Sequence, residues 1–130
     1  MKYMLLMQAT QAQMGSFGTL PPEDIKAHIN FMMTFNEKLK ASGELVDAQG
    51  LAPPHEARIV RSSASGGAPA ITDGPFPEAK EFLAGYWIVE CRSPEHAIEI
   101  AARASAAPGR GGVPMSIPIE VRQIGEAPKV

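Results

Sequence analysis

The sequence predicts an α+β fold, a β-α-β-β-α-β sandwich with an inserted hairpin, from three observations. Tyr3–Gln8 and Gly85–Cys91 are apolar on both alternating faces, as strands enclosed by neighbours are. Each is followed by a helix-entry signal, Pro21-Pro22-Glu23-Asp24 after the first and Ser93-Pro94-Glu95 after the second. Between them Ala57–Arg61 alternates as a strand and Ala68–Thr72 returns as its partner across the polar Ser62–Gly67. In the ferredoxin-like arrangement of this order the first and third principal strands are the central pair. Those are the two segments that read as doubly buried.

Taken in order, Tyr3–Gln8 sets Tyr3, Leu5 and Met7 against Met4 and Leu6. Residues 9–19 are polar with Gly15 and Gly18, which predicts a long loop. The helix that follows carries prolines and acids in its first turn, and Lys38 and Lys40 in its last, with Gly43 as the stop. Ile25, Ile29, Met32, Asn36 and Leu39 form its stripe at 100° per residue, widened by Met33 and Phe35. Leu45-Val46 is a weak strand signal, and Pro69 marks the hairpin as an edge. The Asp73-Gly74-Pro75 turn leads into Glu78–Leu83, read as a short link, and then into Gly85–Cys91. Ser93 caps a helix running to about Ser105 that is expected to pack Ala97, Ile98, Ala101 and Ala102, its small residues allowing close approach to a sheet. Ala107–Pro114, with three glycines, reads as a flexible loop, and Ile117, Ile119 and Val121 alternate as a last strand beside Pro118.

The totals bound the class. A chain of 130 residues is one domain by length, and 45% hydrophobic with 20% charged residues is ordinary for a globular protein. A net charge of −2 argues against a nucleic-acid partner, which needs a clustered basic face. The single Cys91 forms no internal disulfide, so a reducing compartment, the cytoplasm, is expected. MKYMLLMQAT is too short in its apolar run for a secretory signal and reads as a strand. No run reaches the roughly 18 apolar residues of a membrane helix. Two helices cover one sheet face only, so the other is expected to meet a second copy in a homodimer.

Asp73-Gly74-Pro75-Phe76, then Glu78, Lys80 and Glu81, then Gly85-Tyr86-Trp87-Ile88, resembles the DGPF signature of the YCII-related family. Phe35-Asn36-Glu37, Gly50-Leu51-Ala52-Pro53-Pro54 and Ile119-Glu120-Val121-Arg122 extend that resemblance over most of the chain from about Met33. It implies a ferredoxin-like domain in a dimeric α+β barrel. It also implies, in some relatives, a histidine–aspartate pair in a cleft. One branch acts in dehydrochlorination of an aromatic degradation intermediate, and DGPF-type proteins are associated with extracytoplasmic-function sigma factors. Counting back from Gly43 places the helical histidine near Met32, which transfers no proton; His28 lies one turn earlier.

The candidate residues follow. His28 falls within the apolar arc of its helix, four residues after Asp24, and is either a general base or a packed histidine. Asp73 either caps its own turn or places a carboxylate at a cleft mouth, where with His28 it would accept a proton or orient the histidine. Arg58 or Lys80 would hold an anionic group; Arg58 and Arg61 lie on opposite strand faces. His55 and His96 read as surface residues, Cys91 as an inert core thiol. No His, Cys or carboxylate spacing suits a metal, and the glycines at 109–112 follow a helix and precede a strand, the reverse of a nucleotide loop. No cofactor is expected. Two functions remain open: a cofactor-free cleft between the sheet and residues 9–19 performing proton transfer or lyase chemistry on a small molecule, or a dimeric regulatory or binding module that holds a small ligand or a transcription partner and makes no bond.

Overall fold

In chain order the elements are β1 (Lys2–Thr10), α1 (Gln11–Gly18), α2 (Pro22–Ala41), β2 (Leu45–Gly50), β3 (Arg58–Arg61), β4 (Ala70–Asp73), β5 (Glu81–Glu90), α3 (Pro94–Ser105) and β6 (Ile119–Gln123). They come from a computed structural model that describes residues 1–129. One sheet has the order β2-β5-β1-β6 with every pairing antiparallel, and β3 and β4 form a separate two-stranded sheet. This is the ferredoxin-like α+β arrangement: α2 crosses from β1 to β2 over β5, and α3 from β5 to β6 over β1. The β3–β4 hairpin is inserted between β2 and β5.

The two strands apolar on both faces lie at the centre. Leu5 pairs with Trp87 and Tyr3 with Val89 on the helix-covered face, where all four are buried. Met4 pairs with Ile88 and Leu6 with Tyr86 on the other face, where no helix covers them and they are half-buried. Pro118 falls just before β6, and its carbonyl accepts the Gln8 N–H at 3.1 Å, so it still joins β1 although it has no N–H to donate. At Gly85 the backbones of β5 and β2 come so close that a Cβ would meet the Gln49 carbonyl oxygen at 2.8 Å. Only glycine allows that pairing.

Helix α2 follows its sequence signals, with acids in the first turn, lysines in the last and Gly43 at φ 79° beyond it. It buries only Phe35 and Leu39. On α3 the Ser93 hydroxyl accepts the His96 N–H at 3.2 Å, and the small Ala97, Ala101 and Ala104 flank Ile100 against the sheet. Ile98 and Ala102, expected to pack, are exposed because the buried stripe runs through Ile100 and Ala104. Leu5, Leu39, Val89 and Ile100 are the largest fully buried side chains. The Trp87 ring meets Phe35 edge-on at 5.9 Å, and its Nε1–H donates to Asn36 Oδ1 at 2.7 Å. Asn36→Ala leaves that N–H without a partner and is expected to cost about 1–3 kcal/mol in urea unfolding. An unchanged unfolding midpoint would show that water replaces the amide.

Three segments differ from the sequence expectation. Residues 9–19 are not a loop: β1 continues to Thr10, and α1 follows at once. Thr10 and Gln13 form a reciprocal cap, Thr10 N–H to Gln13 Oε1 at 2.8 Å and Gln13 N–H to Thr10 Oγ1 at 3.1 Å. Gly15 and Gly18 lower helix propensity but do not undo that start. The second half of the short link before the central strand is already strand, since β5 begins at Glu81. His96 is not a surface residue, its side chain being 10% exposed. Its Nδ1 accepts the Arg92 N–H at 3.1 Å, so Nε2 carries the proton it shares with Glu44 Oε2 at 2.5 Å.

Glu44 also accepts a hydrogen bond from the Ser42 hydroxyl. That bond, with the His96 contact, holds its carboxyl below the ordinary value of 4.5 despite partial burial. A carboxyl depressed by folding adds stability above its unfolded pKa and loses it as pH falls through the folded value. Wild type is therefore expected to lose stability more steeply than Glu44→Gln on acidification below about pH 4.5, as urea midpoints at successive pH values would show. Parallel profiles would contradict the assignment.

Candidate functional site

A cavity of about 780 Å³ lies between the sheet and α1. Its walls include Met7 and Ala9 of β1, Phe17 of α1, His28 of α2, Pro53 and Met115. A smaller one of about 250 Å³ shares Met7, His28 and Ala84 with it and reaches Asn36 and Trp87. His28 therefore stands where the two meet. The volume and the mostly apolar walls match a small-molecule site.

The chain fixes His28 from two sides. Its Nδ1 lies 3.0 Å from the carbonyl oxygen of Pro108. A carbonyl only accepts, so Nδ1–H donates, and in the neutral ring the lone pair is on Nε2. The Phe17 ring packs edge-on against the imidazole at 4.8 Å. Nε2 has no hydrogen-bond partner among the described residues, and no side-chain nitrogen or oxygen there is both buried and unpartnered. Nε2 consequently opens to the cleft as a free acceptor.

Residues 107–115 form a loop closed by its own backbone hydrogen bonds. Gly109 N–H donates to Val113 O at 2.8 Å and Met115 N–H to Ala107 O at 2.9 Å. Gly111 and Gly112 take φ values of 63° and 81°, the left-handed region that favours glycine. Gly111 N–H donates to Asp24 Oδ2 at 3.1 Å. Asp24 and His28, one turn apart, do not pair along the helix; each fastens the same loop.

Arg58 and Asp73 are brought together, but on the hairpin. They are cross-strand partners on β3 and β4, with Arg58 Nε 3.5 Å from Asp73 Oδ1 and the Asp73 side chain 92% exposed. A surface pair of this kind contributes little to stability. Asp73 does not meet His28, and neither Asp73, Arg58 nor Lys80 lines either cavity. The Asp-Gly-Pro turn has a positional role instead. Gly74 N–H donates to Ala57 O at 2.9 Å, and a Cβ on Gly74 would meet the Ala57 Cβ at 3.1 Å. The turn so braces the 53–57 segment, whose Pro53, Pro54 and His55 form one cavity wall.

The family model of the YCII-related domain matches residues 1–117. The chain belongs to the YCII-related family. It is also similar to an uncharacterised protein of Rhizobium meliloti (strain 1021), 33% identical over 91 residues, which is 70% of this chain and 72% of that protein. In this YCII-related chain Phe35 packs in the core and Asn36 holds Trp87, while Leu51, Pro53 and Pro54 line the cavity. Met32 lines the smaller cavity but offers no proton-transferring group. His28 supplies the imidazole there.

Among the described residues no group of three or more His, Cys, Asp or Glu side chains is placed to hold a metal ion. Cys91 is buried, and burial together with the Glu44 charge pushes its thiol up, which disfavours the thiolate a nucleophile needs. No helix among the described residues is long and apolar enough to cross a membrane. Arg110, which no sequence pattern marks, lines the larger cavity from the closed loop.

Proposed function

We propose that this YCII-related chain binds a small, largely apolar molecule in the His28 cleft, and that His28 Nε2 receives a proton from it. The observation that carries this reading is the imidazole with its Nδ1–H committed to Pro108 O and its other nitrogen free at a 780 Å³ apolar cavity. A carbonyl that fixes the tautomer and orientation leaves a base already aimed, the arrangement general base catalysis uses. No cofactor enters the proposal.

The reading includes a homodimer. Met4, Leu6, Tyr86 and Ile88 form an apolar centre on the face of the sheet that no helix covers, and Val46 beside them is 49% exposed. A second copy packed sheet to sheet would cover that face.

Titration of the protein with 4-nitrophenol tests the site. A shift of the phenol's visible absorbance toward its ionised form, with quenching of the single Trp87, is the expected result. Binding without the absorbance shift would support the module that makes no bond. Absence of both signals would remove the cleft as a small-molecule site.

A further inference from the structure

Resting on the reading of the cleft as a small-molecule site, we infer that its ligand is an amphipathic monoanion, an aromatic or aliphatic carboxylic acid, whose carboxylate is held by Arg110. No aspartate or glutamate is among the residues lining the 780 Å³ cavity, and Arg110 is the one lysine or arginine there. The chain as a whole carries more acids than bases, so the sign of this wall is local. Arg110 makes no ion pair or side-chain hydrogen bond among the described residues. Asp24, the acid beside its loop, lines neither cavity and is occupied by Gly111 N–H.

Placement adds to charge. Arg110 follows Gly109 and Pro108 on a loop that His28 and Asp24 fasten to α2, so the cation is presented from an ordered backbone. A guanidinium matches a carboxylate with two parallel N–H donors. Phe17, Leu20, Met115 and Ile117 line the same cavity with hydrocarbon. Arg110 and those walls together fit a molecule charged at one end and apolar at the other, whereas a dianion would leave a second charge facing hydrocarbon.

The test uses 1-naphthylacetic acid and its neutral isostere 1-naphthylacetamide, titrated calorimetrically into wild type, Arg110→Gln and Arg110→Lys. The acid is expected to bind wild type about tenfold or more tightly than the amide, as a charge-assisted hydrogen bond allows. Arg110→Gln should abolish that preference without weakening amide binding, and Arg110→Lys should keep part of it. Equal binding of acid and amide by wild type, or a preference that survives Arg110→Gln, overturns the carboxylate assignment and leaves the cleft as a site. Failure of both probes to bind overturns the assignment and the cleft reading together.

Discussion

His28→Asn is expected to remove proton transfer from a bound phenol while leaving the fold in place. An asparagine amide can reach the position of Nδ1 and still donate to Pro108 O, so the 107–115 loop keeps its anchor. The Nε2 acceptor is gone. Where a bound molecule is deprotonated by His28, the rate is expected to drop about 10²–10⁴-fold, the range for one general base. His28→Gln is the complementary change, since it extends toward the Nε2 position but loses the anchoring geometry. Hydrogen exchange at Gly109 and Met115 separates the two: little change in His28→Asn, faster exchange in His28→Gln. Equal activity of His28→Asn and wild type would make the histidine a packing residue.

Leu39→Ala is expected to lower unfolding stability by about 2–5 kcal/mol, as cavity-forming core truncations do. Against a typical total of about 5–15 kcal/mol this is a large share. Leu39 is fully buried, and with Phe35 it is all that α2 places in the core. The same helix carries Asp24 and His28, so loosening its C-terminal half bears on the cleft as well as on stability. Ligand affinity in Leu39→Ala is expected to fall at temperatures where the protein is still folded. A loss below about 1 kcal/mol would show that neighbouring side chains collapse into the space.

The central strands, both long helices and the inserted hairpin were legible because each has a local signature: two-faced apolar runs, capped amphipathic stripes, and alternation around a polar turn. Helix α1 reads as loop because two glycines fall in its eight residues, while the Thr10–Gln13 cap that starts it is evident only in the folded chain. His96 read as exposed because its partner Glu44 is distant in sequence, and nothing local to either residue announces the pair.

The site was legible in part. His28 was marked by falling within an apolar helical arc, but its partner is a backbone carbonyl, and no side-chain pattern can point to one. Asp73 drew attention through its turn, yet what the turn does is carried by Gly74 and its bond to Ala57. Arg110 was invisible because its meaning depends on the absence of acids across a cavity assembled from stretches far apart in the chain.

The most direct test is nitrogen NMR of the His28 ring with and without 4-nitrophenol, at near-neutral pH where much of the free phenol still carries its proton. In the free protein the proton should sit on Nδ1, with Nε2 showing the shift of an unprotonated nitrogen. On adding the phenol, Nε2 should move toward the protonated position. A free protein with its proton on Nε2, or a ring unmoved by a phenol shown to bind, would contradict the role assigned to His28.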